Sequence, residues 1–230
     1  MKAGADKAEL RRRFRQLRRA SLADSQRLIL AVARRDLPAL LPAGQRLGIY
    51  WPLAGEVDLR PLAADQVPLA LPAVRAEPPA GPAPGQLHPE LPQPARLLYL
   101  PWQPGEPLAP DHCGIPAPLA SSRRADPRPA PGQPKAVPPG LELPPAALAL
   151  LLVPALAFDP HSGIRLGSGG GWYDRLRADP TWRAVPAVAV LPAACVLADL
   201  PRDPWDVPFA GWLDETGLHW LASRHNIAAL

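Results

Sequence analysis

The sequence contains only two cysteines, Cys113 and Cys195, and they do not form a Cys-x-x-Cys pattern. Their number and spacing indicate neither a disulfide scaffold nor a zinc site. The five histidines show no metal-ligand spacing, and no nucleophile elbow supports a Ser-His-Asp triad. No apolar run is long enough to span a bilayer, and the charged N-terminus lacks the apolar core of a secretory signal. We therefore expect a protein of the reducing cytoplasm without a membrane partner.

Length and composition indicate a single globular domain. A chain of 230 residues suits one α/β domain with a sizeable core, and its hydrophobic content of 47% is typical of a globular protein. We predict one domain over residues 1–230, with proline-rich loops near residues 76–94 and 121–145. We also expect the protein to be a monomer.

The positive charge is concentrated near the N-terminus. The net charge is +4, and the excess lies mainly in the run Arg11–Arg19. Such a run could bind nucleic acid, attract anionic substrates or form the solvated face of a helix. No nucleic-acid-binding motif accompanies it, so we do not expect a nucleic-acid partner. A basic nucleic-acid-binding protein nevertheless stays open as an alternative.

A glycine-rich stretch, Gly163–Asp174, is the most informative part of the chain. The apolar run Leu150–Phe158 precedes it and a helical pattern, Trp172–Ala178, follows it. A strand, a glycine loop and a helix in this order present free backbone N–H groups to an anion. Arg165 adds a charged fork suited to phosphate or carboxylate, and Asp174 is a plausible metal ligand. The P-loop and dinucleotide motifs do not fit, because the stretch has no lysine and Trp172 stands where the dinucleotide motif needs glycine.

Two helices are predicted before the first strand. The first begins with Asp6 as its N-cap, and the second begins at a capping box, Ser21–Asp24. Their apolar faces consist of Leu10, Phe14 and Leu17 in the first helix, and Leu28, Ile29 and Val32 in the second.

Strands alternate with helical patterns along the rest of the chain, which indicates an α/β fold with a mainly parallel central sheet. The predicted strands are Arg46–Trp51, Val67–Val74, Ala95–Trp102, Leu150–Phe158 and Val185–Leu191, followed by a hairpin over Leu213–Trp220 with its turn at Thr216-Gly217.

Two acidic residues follow the first predicted strand. Ligands of open α/β sheets bind beyond the carboxyl ends of the strands, where Glu56 and Asp58 lie. We interpret Asp58 as the N-cap of the next helix. Glu56 has no evident structural role and is therefore a candidate ligand-binding residue.

The motif Arg165-Leu-Gly-Ser-Gly-Gly-Gly-Trp-Tyr-Asp-Arg175, preceded by Val153-Pro-Ala-Leu-Ala-Phe-Asp159, resembles the signature of the 5-formyltetrahydrofolate cyclo-ligase family. Lys7-Ala-Glu-Leu-Arg11 resembles the family's N-terminal Lys-x-x-x-Arg helix. Tyr50-Trp-Pro-Leu-Ala-Gly-Glu-Val-Asp58 resembles its Tyr-x-Pro-x-x-Gly-Glu-Val-Asp segment. The resemblance extends over nearly the whole chain and implies a three-layer α/β/α sandwich.

The resemblance implies an ATP- and Mg²⁺-dependent conversion of 5-formyltetrahydrofolate to 5,10-methenyltetrahydrofolate, with release of ADP and phosphate. Lys7 and Arg11 lie off the predicted apolar face, so we expect both outside the core. The implied ATP-binding residues are Lys7, Arg11, Arg165, Leu166, Gly167, Ser168, Gly169, Gly170, Gly171, Trp172 and Tyr173. The implied folate-binding residues are Glu56, Ser168, Gly169, Gly170, Gly171 and Trp172, and the implied metal ligands are Asp174 and Asp206.

Another class of enzyme also stays open at this point. Related layered folds include sugar-phosphate isomerases and CoA-transferase-like enzymes, and a fold by itself does not determine an activity.

Overall fold

The computed structural model describes residues 3–76, 95–119 and 142–221. The two predicted proline-rich loops lie almost wholly outside the described residues. The helices are α1 (Ala3–Asp36), α2 (Trp172–Ala178) and α3 (Pro180–Ala184), and short 3₁₀ helices cover Pro38–Leu40, Arg60–Asp65, Pro145–Ala147 and Ala193–Cys195. The strands are β1 (Arg46–Gly48), β2 (Leu69–Ala76), β3 (Ala95–Trp102), β4 (Leu108–Pro110), β5 (Pro116–Pro118), β6 (Leu148–Pro154), β7 (Ala157–Asp159), β8 (Ile164–Leu166), β9 (Ala187–Val190), β10 (Gly211–Asp214) and β11 (Gly217–Trp220).

A seven-stranded sheet with the order β11-β10-β9-β6-β1-β2-β3 forms the centre of the fold. The four inner pairings, from β10 through to β2, are parallel, whereas β11 and β3 pair antiparallel at the edges. The predicted α/β fold with a mainly parallel sheet is therefore confirmed. In the part of the chain that the structure describes, no helix is long and apolar enough to cross a membrane.

Hydrophobic side chains cover both faces of this sheet. Successive residues of a strand point to opposite faces, so Leu151 of β6 packs in one cluster and Leu152 in the other. The first cluster includes Trp182 of α3, and the second includes Ile29 of α1. Helices therefore flank the sheet on both sides, as the predicted three-layer sandwich requires.

The N-terminal region is one helix rather than the two that we predicted. α1 begins at Ala3, so Asp6 is not an N-cap, and it continues through the expected second capping box. The hydroxyl of Ser21 donates to the carbonyl of Leu17 at 3.0 Å, which satisfies it inside the helix instead of at a helix start. The predicted apolar faces hold, except that Leu28 is exposed beside the buried Ile29.

The apolar run before the glycine stretch divides into two elements. Its first half forms β6, and its end forms β7, which pairs antiparallel with β8. Asp159 stabilises the turn between β7 and β8, because its carboxylate accepts from the Ser162 hydroxyl at 2.6 Å and from the His161 N–H at 2.9 Å. Burial alone would raise the pKa of Asp159, but these hydrogen bonds outweigh it and lower the pKa below its usual value.

Two smaller boundaries also differ from the prediction. β1 ends at Gly48 instead of Trp51, although the Ile49 N–H still donates to the Ala70 carbonyl at 2.9 Å. The C-terminal hairpin turns at residues 215–216, one residue before the predicted Thr216-Gly217. Both differences affect only the ends of elements, which sequence patterns specify least well.

Candidate functional site

A cavity of about 500 Å³ lies beside the segments that follow β1, β6 and β8. Its volume is in the range of small-molecule binding sites. All the residues to which the sequence analysis assigned a ligand- or metal-binding role line it, namely Lys7, Arg11, Glu56, Arg165, Leu166, Gly167, Ser168, Gly169, Gly170, Gly171, Trp172, Tyr173, Asp174 and Asp206. The fold thus gathers four distant segments of the chain around one space.

The glycine loop, which we define as Gly167–Gly171, connects β8 to α2 and forms one wall of this cavity. The φ angles are +112° at Gly169 and +64° at Gly171. Glycine adopts such angles without steric cost, whereas other residues are strained there. The helix that follows spans Trp172–Ala178, as predicted.

Three arginines donate hydrogen bonds to carbonyl groups of the glycine loop. Arg11 Nε lies 3.1 Å from the Gly167 oxygen, and Arg15 contacts the Ser168 oxygen at 3.2 Å. Arg175 contacts the Gly170 oxygen at 2.8 Å. Two of these arginines belong to the basic run of α1, so part of that run faces the loop.

A partly buried ion pair joins β8 to α2. A terminal nitrogen of Arg165 lies 2.9 Å from Asp174 Oδ2, and the Arg165 side chain is only 6% exposed. The guanidinium also lies over the rings of Tyr173 and Phe209, at 5.4 and 5.2 Å from their centroids. These contacts fix a permanent positive charge in the cavity wall.

Lys7 is buried, contrary to our expectation that it lies outside the core. Its ammonium contacts Asp203 at 2.6 Å and Asp206 at 3.0 Å. Burial by itself lowers the pKa of Lys7, but the hydrogen bonds and charges of the two aspartates outweigh burial and raise it. The spacing of Lys7 from Leu10 and Phe14 already puts it on the buried face of α1.

Glu56 has a structural role that the sequence analysis did not foresee. One oxygen accepts from the Leu53 N–H at 3.0 Å, and the other lies 3.4 Å from a nitrogen of Arg18. Both side chains are at most 7% exposed. Asp58 is not a helix cap, because Leu59 occupies that position, but its carboxylate pairs with Arg60 and accepts from the Arg60 N–H.

Two cavity-lining residues have buried polar atoms without a hydrogen bond in the described part of the chain. They are Tyr50 Oη and Arg165 Nε. Burial raises the pKa of Tyr50 well above its usual value, so its hydroxyl stays protonated and able to donate. An unpaired buried donor is costly, and a polar ligand is one way to satisfy it.

The two predicted metal ligands line the same cavity, and each already pairs with a cation. Asp174 contacts Arg165, and Asp206 contacts Lys7. Among residues 3–76, 95–119 and 142–221, no group of three or more His, Cys, Asp or Glu residues is arranged to hold a metal ion. Mg²⁺ usually binds one or two carboxylates together with substrate phosphates and water. The carboxylates therefore fit an ion shared with a phosphate ligand, and they do not form a cage of protein ligands.

The sequence analysis missed several residues of the cavity. Asp203 and Arg175 are charged, and their contacts with Lys7 and Gly170 depend on tertiary structure. Tyr50 follows β1 and lies in the segment that we compared with the family, so the sequence already contained a signal for it. The other missed residues are Trp51, Leu53, Pro72, Val74, Leu97, Asp111, Cys113, Ile115, Pro154, Ala178 and Trp205.

Comparisons with known proteins concern the family and the overall fold. A model of the 5-formyltetrahydrofolate cyclo-ligase family matches residues 105–212. The fold is similar to the solution structure of Aquifex aeolicus 5,10-methenyltetrahydrofolate synthetase, with 24% identity, a TM-score of 0.61, and coverage of 94% of this chain and 93% of that chain. It is also similar to the synthetase from Mycoplasma pneumoniae, with 18% identity, a TM-score of 0.53, and coverage of 91% and 99%.

No curated protein matches the sequence. The family match over residues 105–212 agrees with the resemblance found in the sequence. The two solved structures support the fold.

Proposed function

We propose that this protein catalyses the ATP-dependent cyclisation of 5-formyltetrahydrofolate to 5,10-methenyltetrahydrofolate, with release of ADP and phosphate. One observation carries the proposal: every residue that the family resemblance assigns to a ligand lines a single cavity. These residues come from α1, the segment after β1, the glycine loop with α2, and the segment near Asp206. Such a convergence of distant segments supports a common site.

The phosphate end of the cavity consists of the glycine loop and two cations. Backbone N–H groups at the start of α2 suit a negatively charged group, and the fixed charge of Arg165 adds to their field. Lys7, with its two aspartates, lines the same cavity. These groups would hold the phosphates of ATP and offset the charge that develops during phosphoryl transfer.

Glu56 and the aromatic residues would orient the folate. The pterin of the folate has N–H groups that can donate hydrogen bonds to the Glu56 carboxylate. Its flat ring system can stack on the side chains of Trp172 and Tyr173. The unpaired hydroxyl of Tyr50 offers one further donor to this ligand. Burial raises the pKa of Tyr173 as well, so that this second hydroxyl is also neutral.

The chemistry needs positioning more than reactive side chains. The formyl oxygen attacks the γ-phosphorus, the bond to the ADP oxygen breaks, and the formyl carbon becomes electrophilic. The N10 lone pair then attacks that carbon, phosphate leaves with the former formyl oxygen, and the N10 proton is lost. Holding both reactants in one cavity makes the two steps effectively intramolecular. When bound, Mg²⁺ would offset phosphate charge, and Asp174 and Asp206 are the residues that would hold it.

The basic run of α1 gives less support to nucleic-acid binding. Arg11 and Arg15 bond to the glycine loop, and Arg18 is buried against Glu56. Three arginines of the run are therefore engaged within the protein, instead of forming one open basic face.

An absorbance assay for methenyltetrahydrofolate tests the proposed function. We expect product from 5-formyltetrahydrofolate only when MgATP is present, with one ADP released per product. Absence of product with both substrates, or equal product without ATP, would overturn the proposal. ATP turnover that does not depend on the formyl folate would also contradict it.

A further inference from the structure

We propose that Arg15 and Arg175, together with Arg11, are positioning residues that orient the peptide groups of the glycine loop toward a bound phosphate. The identity of that phosphate rests on the proposed function, whereas the orientation of the loop does not. Arg11 and Arg175 also line the cavity, so Arg15 is the clearest case of a residue that would act through the loop.

The three arginines approach the loop from two helices. Arg11 and Arg15 are one turn apart on α1 and contact the oxygens of Gly167 and Ser168. Arg175, on α2, contacts the oxygen of Gly170. Its guanidinium also lies 4.3 Å from the ring centroid of Trp172, which restricts its orientation. Three of the peptide groups of the glycine loop are thus held from their carbonyl side.

Because the peptide bond is planar, these contacts also fix the direction of the neighbouring N–H groups. In a trans peptide, the C=O of one residue and the N–H of the next point in opposite directions. Arginines on the oxygens of residues 167, 168 and 170 therefore direct the N–H groups of Ser168, Gly169 and Gly171 away from the arginines. In the described part of the chain, these three N–H groups donate to no protein acceptor.

A loop with so many glycines needs such support. Glycine loses more conformational freedom on ordering than any other residue, so that an unsupported loop would rarely present all its N–H groups together. Pre-oriented donors bind an anion without reorganising. Arginine suits this task because its planar fork remains charged and loses little freedom per hydrogen bond.

Arg15→Met tests the proposal, because methionine keeps an unbranched apolar stem and removes the donors. We expect the ¹⁵N order parameters of the Ser168 and Gly169 amides, measured without any ligand, to fall from about 0.85 to below about 0.6. We also expect the KM for ATP to rise about fivefold, with the KM for the folate unchanged. Arg15→Lys keeps the charge and one donor that can reach the carbonyl. It should therefore restore most of the order parameters and most of the KM for ATP.

Arg12→Met is the matched control. Arg12 is also exposed on α1, and its side chain contacts Glu9 at 3.5 Å. It should leave the order parameters unchanged. The KM increase in Arg15→Met should persist at high ionic strength, because it reflects loop geometry and not long-range attraction.

Unchanged order parameters in Arg15→Met would overturn the proposal, and so would a mobile loop with an unchanged KM for ATP. The order parameters need neither ATP nor folate. If the wild-type protein made no methenyl product, the proposed function would fail while the effect of Arg15 on the loop could still be measured.

Discussion

Glu56→Gln affects a buried carboxylate that both holds the loop after β1 and lines the cavity. The substitution keeps the size of the side chain, and its remaining oxygen can still accept from the Leu53 N–H. It removes the negative charge beside Arg18, 3.4 Å away, and puts an amide in its place. We therefore expect both a loss of stability and a loss of folate use.

The structure sets the size of the stability effect. Breaking one side of a buried ion pair costs about 3–5 kcal/mol. Arg18 keeps its hydrogen bond to the Ala155 carbonyl at 3.3 Å, and the lost contact between Arg18 and Glu56 is a long one of 3.4 Å. We therefore expect a loss of about 2–3 kcal/mol in the free energy of unfolding. For a chain of this length, that corresponds to a melting temperature lower by roughly 4–12 °C.

The catalytic effect has a different origin. Losing one charge-assisted hydrogen bond to the folate costs about 1.5–3 kcal/mol, which corresponds to a decrease of roughly 10- to 150-fold in kcat/KM for the folate. The KM for ATP should not change. Steady-state kinetics with each substrate varied, together with thermal melts, measures the two effects separately.

The double variant Arg18→Met/Glu56→Gln distinguishes the two roles. Arg18 does not line the cavity among the described residues, so Arg18→Met removes the buried positive charge without changing a side chain of the cavity wall. The double variant should regain much of the stability lost in Glu56→Gln, because no unpaired charge remains. Its folate defect should persist. If the double variant used the folate like the wild-type protein, Glu56 would be a structural residue only and the reasoning would be refuted.

Three further predictions concern the charged groups of the site and of its supporting turn. Asp174→Asn should lower kcat at least about 100-fold, because phosphoryl transfer loses a carboxylate that would hold Mg²⁺ against the phosphates. Partial recovery of kcat at high Mg²⁺ would support the role of Asp174 as a metal ligand, and a near wild-type kcat at low Mg²⁺ would exclude that role. Lys7→Met should raise the KM for ATP at least about tenfold and lower the melting temperature, since each lost hydrogen bond to a charged group is worth about 1.5–3 kcal/mol. The control Arg12→Met, at an exposed position, should change neither value. A normal nucleotide affinity of Lys7→Met in calorimetry would show that Lys7 has only a structural role. Because the pKa of Asp159 is lowered by folding, its contribution to stability is present above the usual value of 3.8 and is lost as the pH falls through the folded pKa. Melts of Asp159→Asn should therefore depend less steeply on pH below about 4 than those of the wild-type protein, and an equally steep dependence would count against this role of the carboxylate.

The glycine loop and its helix could be predicted because their signals are local. Positive φ angles require glycine at Gly169 and Gly171, and the helical pattern Trp172–Ala178 needs no distant contact to be recognised. The edge strand Ala95–Trp102 was likewise predicted with the bounds that the structure shows. The order of strands and helices was sufficient to indicate a mainly parallel sheet.

The division of elements was predicted less well, because it depends on what packs against them. Ser21 carries a capping pattern, yet α1 continues through it, since its hydroxyl finds a carbonyl one turn earlier and buried residues such as Phe14 and Ile29 lie on both sides of it. The apolar run Leu150–Phe158 looked continuous in the sequence, yet the structure breaks it at residues 155–156, between β6 and β7.

The sequence by itself determined which residue types are available to the site: the arginine and glycines of the loop, Lys7, Glu56 and the aspartates. Only the tertiary structure decided their partners. It buries Lys7 between two aspartates almost 200 positions away, and it places Arg18 against Glu56 and Arg15 against the loop. A charge pattern in sequence does not specify its partner, because an ion pair needs a distance, and distances between remote segments exist only once the sheet and α1 have packed together.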